Sequence, residues 1–301
     1  MCYVGNKFNT MNNWRREMNS SIFNGTMADM TYPEIEELIR QEAVVLLPVA
    51  VIEEHGPHLP LGTDTYLTYA MFRHIQDELN KSNIKSVIAP PFYWGINVCT
   101  SGFPGSFTVK VDTMKAVLKD TVECLHNWGF NNVYMLNLHG DYLHCKTIVE
   151  TVKEISEVSS ENKRVFDIIP EFFKDILELD GSEPYILVQK HEEAESENED
   201  NGNEKDSYFD IHAGGFETSA MMLDFKELVN EEMARKLESS KTTFELLSTW
   251  QKGGVEGREV TPLGYCGDPS NIDLKDAKEF TDGFAKSAAK LIISSNDNGL
   301  S

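Results

Sequence analysis

Basic residues are scarce in this chain: 27 Lys and Arg stand against 49 Asp and Glu, for a formal charge of −22. A field of that sign repels a phosphate backbone or an anionic membrane surface, so nucleic acid and lipid are set aside as partners. No CxxC pair is present; the five cysteines, Cys2, Cys99, Cys124, Cys145 and Cys266, are scattered. That spacing argues against a disulfide framework and a cysteine-type zinc site, and points to a reducing, cytoplasmic setting. No apolar run approaches the length of a membrane span. The polar first residues, with Lys7, Arg15 and Arg16, hold no apolar core of a signal peptide. Internal repeats are absent too. Hydrophobic residues still make up 41% of 301 positions, enough to bury a large α/β core.

Residues 1–27 read as an irregular arm, and 28–301 as one domain. Thr31 with Glu34 forms a capping box for a helix through Ile35, Leu38 and Ile39. The apolar run from Val44 to Ile52 suits a strand buried on both faces. Pro48 within it predicts an edge, a bulge or an early end to pairing. Helical periodicity follows over 64–81, 111–128 and 141–158, with strands at 86–89, 132–138 and 164–170. Surface helices with an apolar stripe are expected over 225–240 and 276–293, and residues 191–206 read as an acidic, solvated loop insert. Alternation of strand and helix predicts a mainly parallel sheet with helices on both faces, and ligands at the carboxyl ends of its strands.

Three clusters of chemistry-bearing residues stand out. The first, Glu53-Glu54-His55-Gly56-Pro57-His58-Leu59-Pro60-Leu61-Gly62-Thr63-Asp64, follows directly on the first strand. In extended chain Glu53 and His55 project to one side while Glu54 points away. The Gly and Pro residues make a turning loop that can bring Asp64 back beside them. Two carboxylates and an imidazole form a mixed site for zinc, manganese or iron, and a carboxylate such as Asp64 can bridge two ions. A loop in which His55 and His58 merely cap backbone groups is the plainer alternative. In the second cluster, His139 stands just past another buried strand, with Asp141 two residues on and able to face the same pocket. His144 and Cys145, one turn later, read as ordinary helix positions. In the third, His212 and Glu217 flank a Gly-Gly turn that allows close backbone approach to a ligand. Glu217 also suits the positive end of the helix that follows.

Together these segments resemble the creatininase family. Glu53 to Asp64 fits its Glu-x-His-Gly-x-His-Leu-Pro-Leu-x-Thr-Asp signature throughout. Further marks are Phe103-Pro104-Gly105-Ser106, His212 to Ser219, and Gly267-Asp268-Pro269, and the likeness runs from about Thr31 to about Ile293. It implies a three-layer α/β/α fold, assembled as a homo-oligomer (trimer or hexamer), and two divalent ions per chain, zinc or manganese with iron as a further option. Glu53 and His139 would hold one ion and His55 the other, with Asp64 bridging. Asp141 falls where the family includes a Glu ligand, and either Asp141 or Glu217 would complete the second site. His212 matches a catalytic histidine, with Glu217 able to share its proton work. The chain departs from the pattern at Asp141, one methylene shorter, and at Cys99 and Thr100, where many members carry Glu-His.

The implied activity is metal-dependent hydrolysis of a C–N bond in a small cyclic amide or formamide, creatinine-like. Deprotonating free water, with pKa near 15.7, costs roughly 12 kcal/mol at pH 7, too much for a lone histidine to supply. An isomerase or epimerase on the same ions, and a binding protein that has retired its catalysis, are the alternatives.

Overall fold

Every strand of the central sheet is apolar on both sides, which requires cover above and below. The computed structural model describes residues 21–160, 162–190 and 208–297. The strands are β1 (Val44–Pro48), β2 (Ser86–Ile88), β3 (Asn132–Leu136), β4 (Arg164–Pro170) and β5 (Ile186–Gln189). They form one parallel sheet in the order β2-β1-β3-β4-β5. The helices are α1 (Tyr32–Arg40), α2 (Thr63–Lys81), α3 (Val111–Trp128), α4 (Tyr142–Val158), α5 (Glu171–Ile176), α6 (Gly215–Asp224), α7 (Glu231–Ala234), α8 (Phe244–Trp250), α9 (Gly254–Val260) and α10 (Leu274–Asp297).

Alternate strand residues serve opposite cores, as the pleat demands. Val44, Leu46, Tyr134, Leu136, Phe166 and Ile168 pack with Phe72 and Ile75 of α2, Met221 of α6 and Phe284 of α10. Val45, Leu47, Val133, Met135 and Val165 pack with Met114 and Leu118 of α3 and Val152 of α4. Ile35, Leu38 and Ile39 of α1 lean on this second core, and the expected capping box at Thr31 is present. The result is the three-layer α/β/α fold with a parallel sheet. No helix among the described residues is long and apolar enough to cross a membrane.

Several expectations change in detail. Pro48 does not mark an edge: β1 is an interior strand, and its ladder ends there, with Val49 N passing to Leu136 O at 2.9 Å. Of the helix expected over 225–240, only a short 3-10 turn and α7 form. Asn230 breaks it, because its N–H donates to His58 O at 2.8 Å and its side chain caps α7. β5 and the short helices α8 and α9 have too little periodicity to be read from sequence. The acidic segment 191–206 and residues 1–20 lie outside the described residues.

Asp167 on β4 is buried beside a small cavity lined by Asn137, Cys145, Phe173 and Leu177. Burial alone pushes its carboxyl up to about 7. The folded chain therefore keeps a proton that the unfolded chain releases, and stability declines as pH rises through the window between the two pKa values. At about 1.4 kcal/mol per unit, the loss comes to roughly 4 kcal/mol. Asp167→Asn is expected to flatten the fall of the unfolding midpoint between about pH 4 and 7. Equal losses in parent and variant would assign that pH dependence to another group.

Candidate metal centre

The chain leaves β1 extended and doubles back. Glu53 N donates to Leu61 O at 2.9 Å, closing the loop, and Thr63 Oγ1 donates to Pro60 O at 2.7 Å. Thr65 Oγ1 donates to Val51 O at 2.8 Å, which pins the first turn of α2 against the strand extension. Asp64 thereby returns beside Glu53 and His55. His139 arrives from the end of β3, its backbone bracketed by Asn137, whose Oδ1 accepts from His139 N and whose Nδ2 donates to His139 O. His212 comes from far along the chain, tied to Cys266 by a pair of backbone hydrogen bonds of 2.8 and 3.2 Å. The turn after it needs glycine. A Cβ on Gly215 would sit 2.3 Å from Asn271 O. Glu217 then enters the first turn of α6, and Ala213 N donates to its Oε2 at 2.5 Å.

These residues form three overlapping ligand groups: Glu53 with Asp64 and His139, His55 with Asp64 and Glu217, and Glu53 with His55 and His212. Asp64 belongs to two of them and is 2% exposed. His139 Nδ1 lies 2.9 Å from Glu53 Oε1 and 3.4 Å from Asp64 Oδ2. His55 Nε2 lies 3.4 Å from Asp64 Oδ1 and 3.8 Å from Glu217 Oε2.

All three imidazoles turn the same way. The outer nitrogen of each meets a backbone carbonyl: His55 Nδ1 with Glu53 O at 3.2 Å, His139 Nε2 with Ile96 O at 3.1 Å, His212 Nε2 with Glu54 O at 2.9 Å. A neutral ring donates there, so its inner nitrogen carries a lone pair. Those lone pairs face carboxylate oxygens, acceptor against acceptor. Only a proton or a cation between them resolves the clash. Consistently, His55 Nε2 and Asp64 Oδ2 are buried with no hydrogen-bond partner. The donor set of carboxylates and imidazoles suits zinc or manganese.

The electrostatics say the same. Burial opposes charge on His55, but Asp64, Glu217 and Glu53 outweigh it and push the ring up to about 10. Burial also opposes charge on His139, which Glu53 and Asp64 nonetheless hold well above the imidazole range. For Asp64, burial pushes up and loses to His55 and His139, which keep it well below the carboxylate range. Burial raises Glu217. The pocket as a whole demands positive charge at its inner nitrogens.

Asp141 is not part of the cluster. It is the N-cap of α4: Oδ1 accepts from Leu143 N and His144 N, and Oδ2 from Val98 N and Cys99 N. Its carboxylate is taken up by backbone N–H groups and stands outside every ligand group. An Asp directly before a helix is the sequence signal for that role. His58 is a packing residue, its Nε2 2.9 Å from Thr218 Oγ1 and its ring pushed down to about 4, mainly by burial. His144 lies beneath His139, with burial and His139 keeping it neutral. Sequence reasoning assigned no role to Glu54, whose buried Oε1 lies 3.4 Å from His212 Nε2, or to Trp250, whose ring centroid is 5.8 Å from that of His212. It noted Thr100 only as a departure, yet Thr100 Oγ1 donates to Glu53 Oε2.

Comparison with known proteins gives this geometry a context. Over 98 residues the chain is 31% identical to the mycofactocin precursor peptide peptidase of Mycolicibacterium smegmatis, covering 32% of this chain and 39% of that protein. Over 112 residues it is 30% identical to the 3-dehydro-scyllo-inosose hydrolase of Thermotoga maritima, covering 37% and 34%. The chain thus spans well under half the length of these two relatives. A longer match, 23% identical over 235 residues, covers 75% of this chain and 80% of the creatinine amidohydrolase of Pseudomonas putida. A solved creatinine amidohydrolase (creatininase) shares the fold with TM-score 0.62 at 16% identity, over 89% of this chain and 96% of that one. A structure described as "Creatininase Mn" does so with TM-score 0.62 at 16% identity, over 90% and 98%. A family model described as "Creatininase: Creatinine amidohydrolase" matches residues 28–292, a span that holds all five strands and the whole cluster. The chain belongs to the creatininase family.

Proposed function

We propose that this chain is a binuclear metal-dependent amidohydrolase that cleaves a C–N bond of a small cyclic amide or formamide, with creatinine as the first candidate. Glu53, Asp64 and His139 would hold one ion, and His55, Asp64 and Glu217 the other. The observation that carries the reading is Asp64, a buried carboxylate common to both groups, with opposed lone pairs on either side of it. Zinc or manganese fits, and relatives of known structure are described as manganese and Zn-Zn forms. A cytoplasmic homo-oligomer (trimer or hexamer) completes the proposal.

When bound, such ions lower the pKa of a coordinated water from 15.7 toward about 7 and polarise a substrate carbonyl. The chain's own groups then hold and move protons. His212 commits Nε2–H to Glu54 O, so Nδ1 is the atom that can accept a proton and pass it to the leaving nitrogen. Trp250 lies against that ring and limits access of water to it. Glu217, with its side chain 18% exposed, is the most open member of the cluster and can share the proton work at the mouth.

Metal analysis of dialysed protein is expected to give close to two ions per chain, and a chelator should abolish turnover that zinc or manganese restores. The assay panel holds creatinine, a formamide, a peptide amide and a cyclic inosose, because the named relatives are a peptidase and an inosose hydrolase as well as a creatinine amidohydrolase. Hydrolysis of the first or second supports the assignment. Hydrolysis confined to the peptide or the inosose would refute the substrate class, and absence of any bound metal would refute the mechanism.

A further inference from the structure

The segment from Gly95 to Thr100 touches both outer members of one ligand group without joining it. Ile96 O accepts from His139 Nε2, and the buried hydroxyl of Thr100 donates to Glu53 Oε2. Glu53 Oε1 is left facing His139 Nδ1 at 2.9 Å. The terminal torsion of a Glu side chain is soft, so a free carboxylate can rotate or offer both oxygens to a cation. A hydroxyl fixed on Oε2 removes that freedom and leaves Oε1 as the oxygen aimed at the cluster.

The segment is itself held in place. Asp141 Oδ2 accepts from Val98 N at 2.7 Å and Cys99 N at 3.4 Å, binding the segment to the start of α4. Asn97 Nδ2 donates to Phe107 O, and Ser101 Oγ accepts from Gly254 N at 2.9 Å. His55 meets Glu53 O through its outer nitrogen instead, and Glu217 takes its hydrogen bond from Ala213 N, so neither leans on this segment.

We infer that Thr100 is a positioning residue that holds Glu53 as a one-oxygen ligand for the ion of Glu53, Asp64 and His139, leaving the ion of His55, Asp64 and Glu217 independent of it. In this arrangement Asp141 acts on the centre from outside, by fixing the segment that carries Thr100. The inference rests on the two-ion reading above, and its test separates the two.

Metal-free parent, Thr100→Val and Thr100→Ser would be titrated with Mn2+ alone, by calorimetry and by the electron paramagnetic resonance of free and coupled manganese. The parent should bind two ions with a coupled spectrum. Loss of an outer-shell partner typically weakens a metal site about 10–100-fold. Thr100→Val is therefore expected to keep one affinity and lose about 10–100-fold in the other, with the coupled signal appearing only at higher manganese. Thr100→Ser, which restores the hydroxyl, should bind as the parent does, and Thr100→Ala replaces the valine variant if that one does not fold. Two parent-like affinities in Thr100→Val, or equal weakening of both ions, would overturn the positioning role while leaving the two-ion reading intact. A parent that binds fewer than two ions would overturn that reading and the inference with it.

Discussion

Asp64→Ala is expected to fold, to lose both ions, and to lose turnover by on the order of a thousandfold or more. Every other acid in the centre serves a single ion in the proposed arrangement, whereas Asp64 faces His139 through Oδ2 and His55 through Oδ1. Removing it leaves one carboxylate at each position, Glu53 and Glu217, and one buried imidazole on each side of the gap, His139 and His55. Two divalent charges brought close together then have no shared anion between them, and mutual repulsion in a buried site is strong. In the proposed mechanism the ions would supply the largest share of the rate, because without them water must be deprotonated at a cost of roughly 12 kcal/mol at pH 7. Asp64 contributes through its charge and its lone pairs, so Asp64→Asn should also bind metal poorly even though it preserves shape. Metal content and turnover are measured on the same samples. An Asp64→Ala protein with two ions and near-normal turnover would sink the bridging role.

Gly253→Ala should destabilise the fold by about 2–5 kcal/mol and lower the unfolding midpoint by about 5–15 °C. Two effects add. Gly253 has φ +68, and a Cβ there would lie 1.8 Å from Val98 O and 2.7 Å from Ser101 Oγ. That backbone, with φ +68 and ψ −157, is one that L-residues rarely adopt and costs them at least about 1–2 kcal/mol, and forcing atoms into a packed contact costs about 1–3 more. The neighbouring glycine provides the control. Gly254 has φ +61, but a Cβ on it would meet nothing within 4 Å. Gly254→Ala should therefore lose only the strain, about 1–2 kcal/mol. Equal midpoints for the two variants would show that the segment carrying Val98 can move aside. Since that segment also bears Thr100 and Ile96, weaker metal binding should accompany the lower midpoint in Gly253→Ala.

The halves of the site differ in how far sequence reaches them. Glu53, His55 and Asp64 were legible because one short loop holds them all. Period-two geometry puts Glu53 and His55 on one side of an extended chain, and the Gly and Pro positions dictate a return. His139 was legible for a similar reason: residues that end parallel strands gather at one edge of the sheet, and β3 is the neighbour of β1. Asp141 shows the limit. Its spacing from His139 allowed a place in the pocket, but the backbone at 141 is extended and the following residues start α4, so the carboxylate turns to the helix N–H groups. The competing N-cap preference was written in the same residues and was the stronger of the two.

By itself, then, the chain determined the layered α/β architecture, the loop that carries three of the candidate acid and imidazole ligands, and the resemblance that ties them to a family. These depend on patterns within a few residues, where periodicity, turn chemistry and strand-end geometry act locally. Tertiary structure alone decided that Glu217 rather than Asp141 stands beside His55, that Glu54 lies under His212, and that Thr100 holds Glu53. Each of these joins residues from separate elements, and distances between elements are set by how the helices and loops pack on the sheet. Local propensity carries no record of that packing.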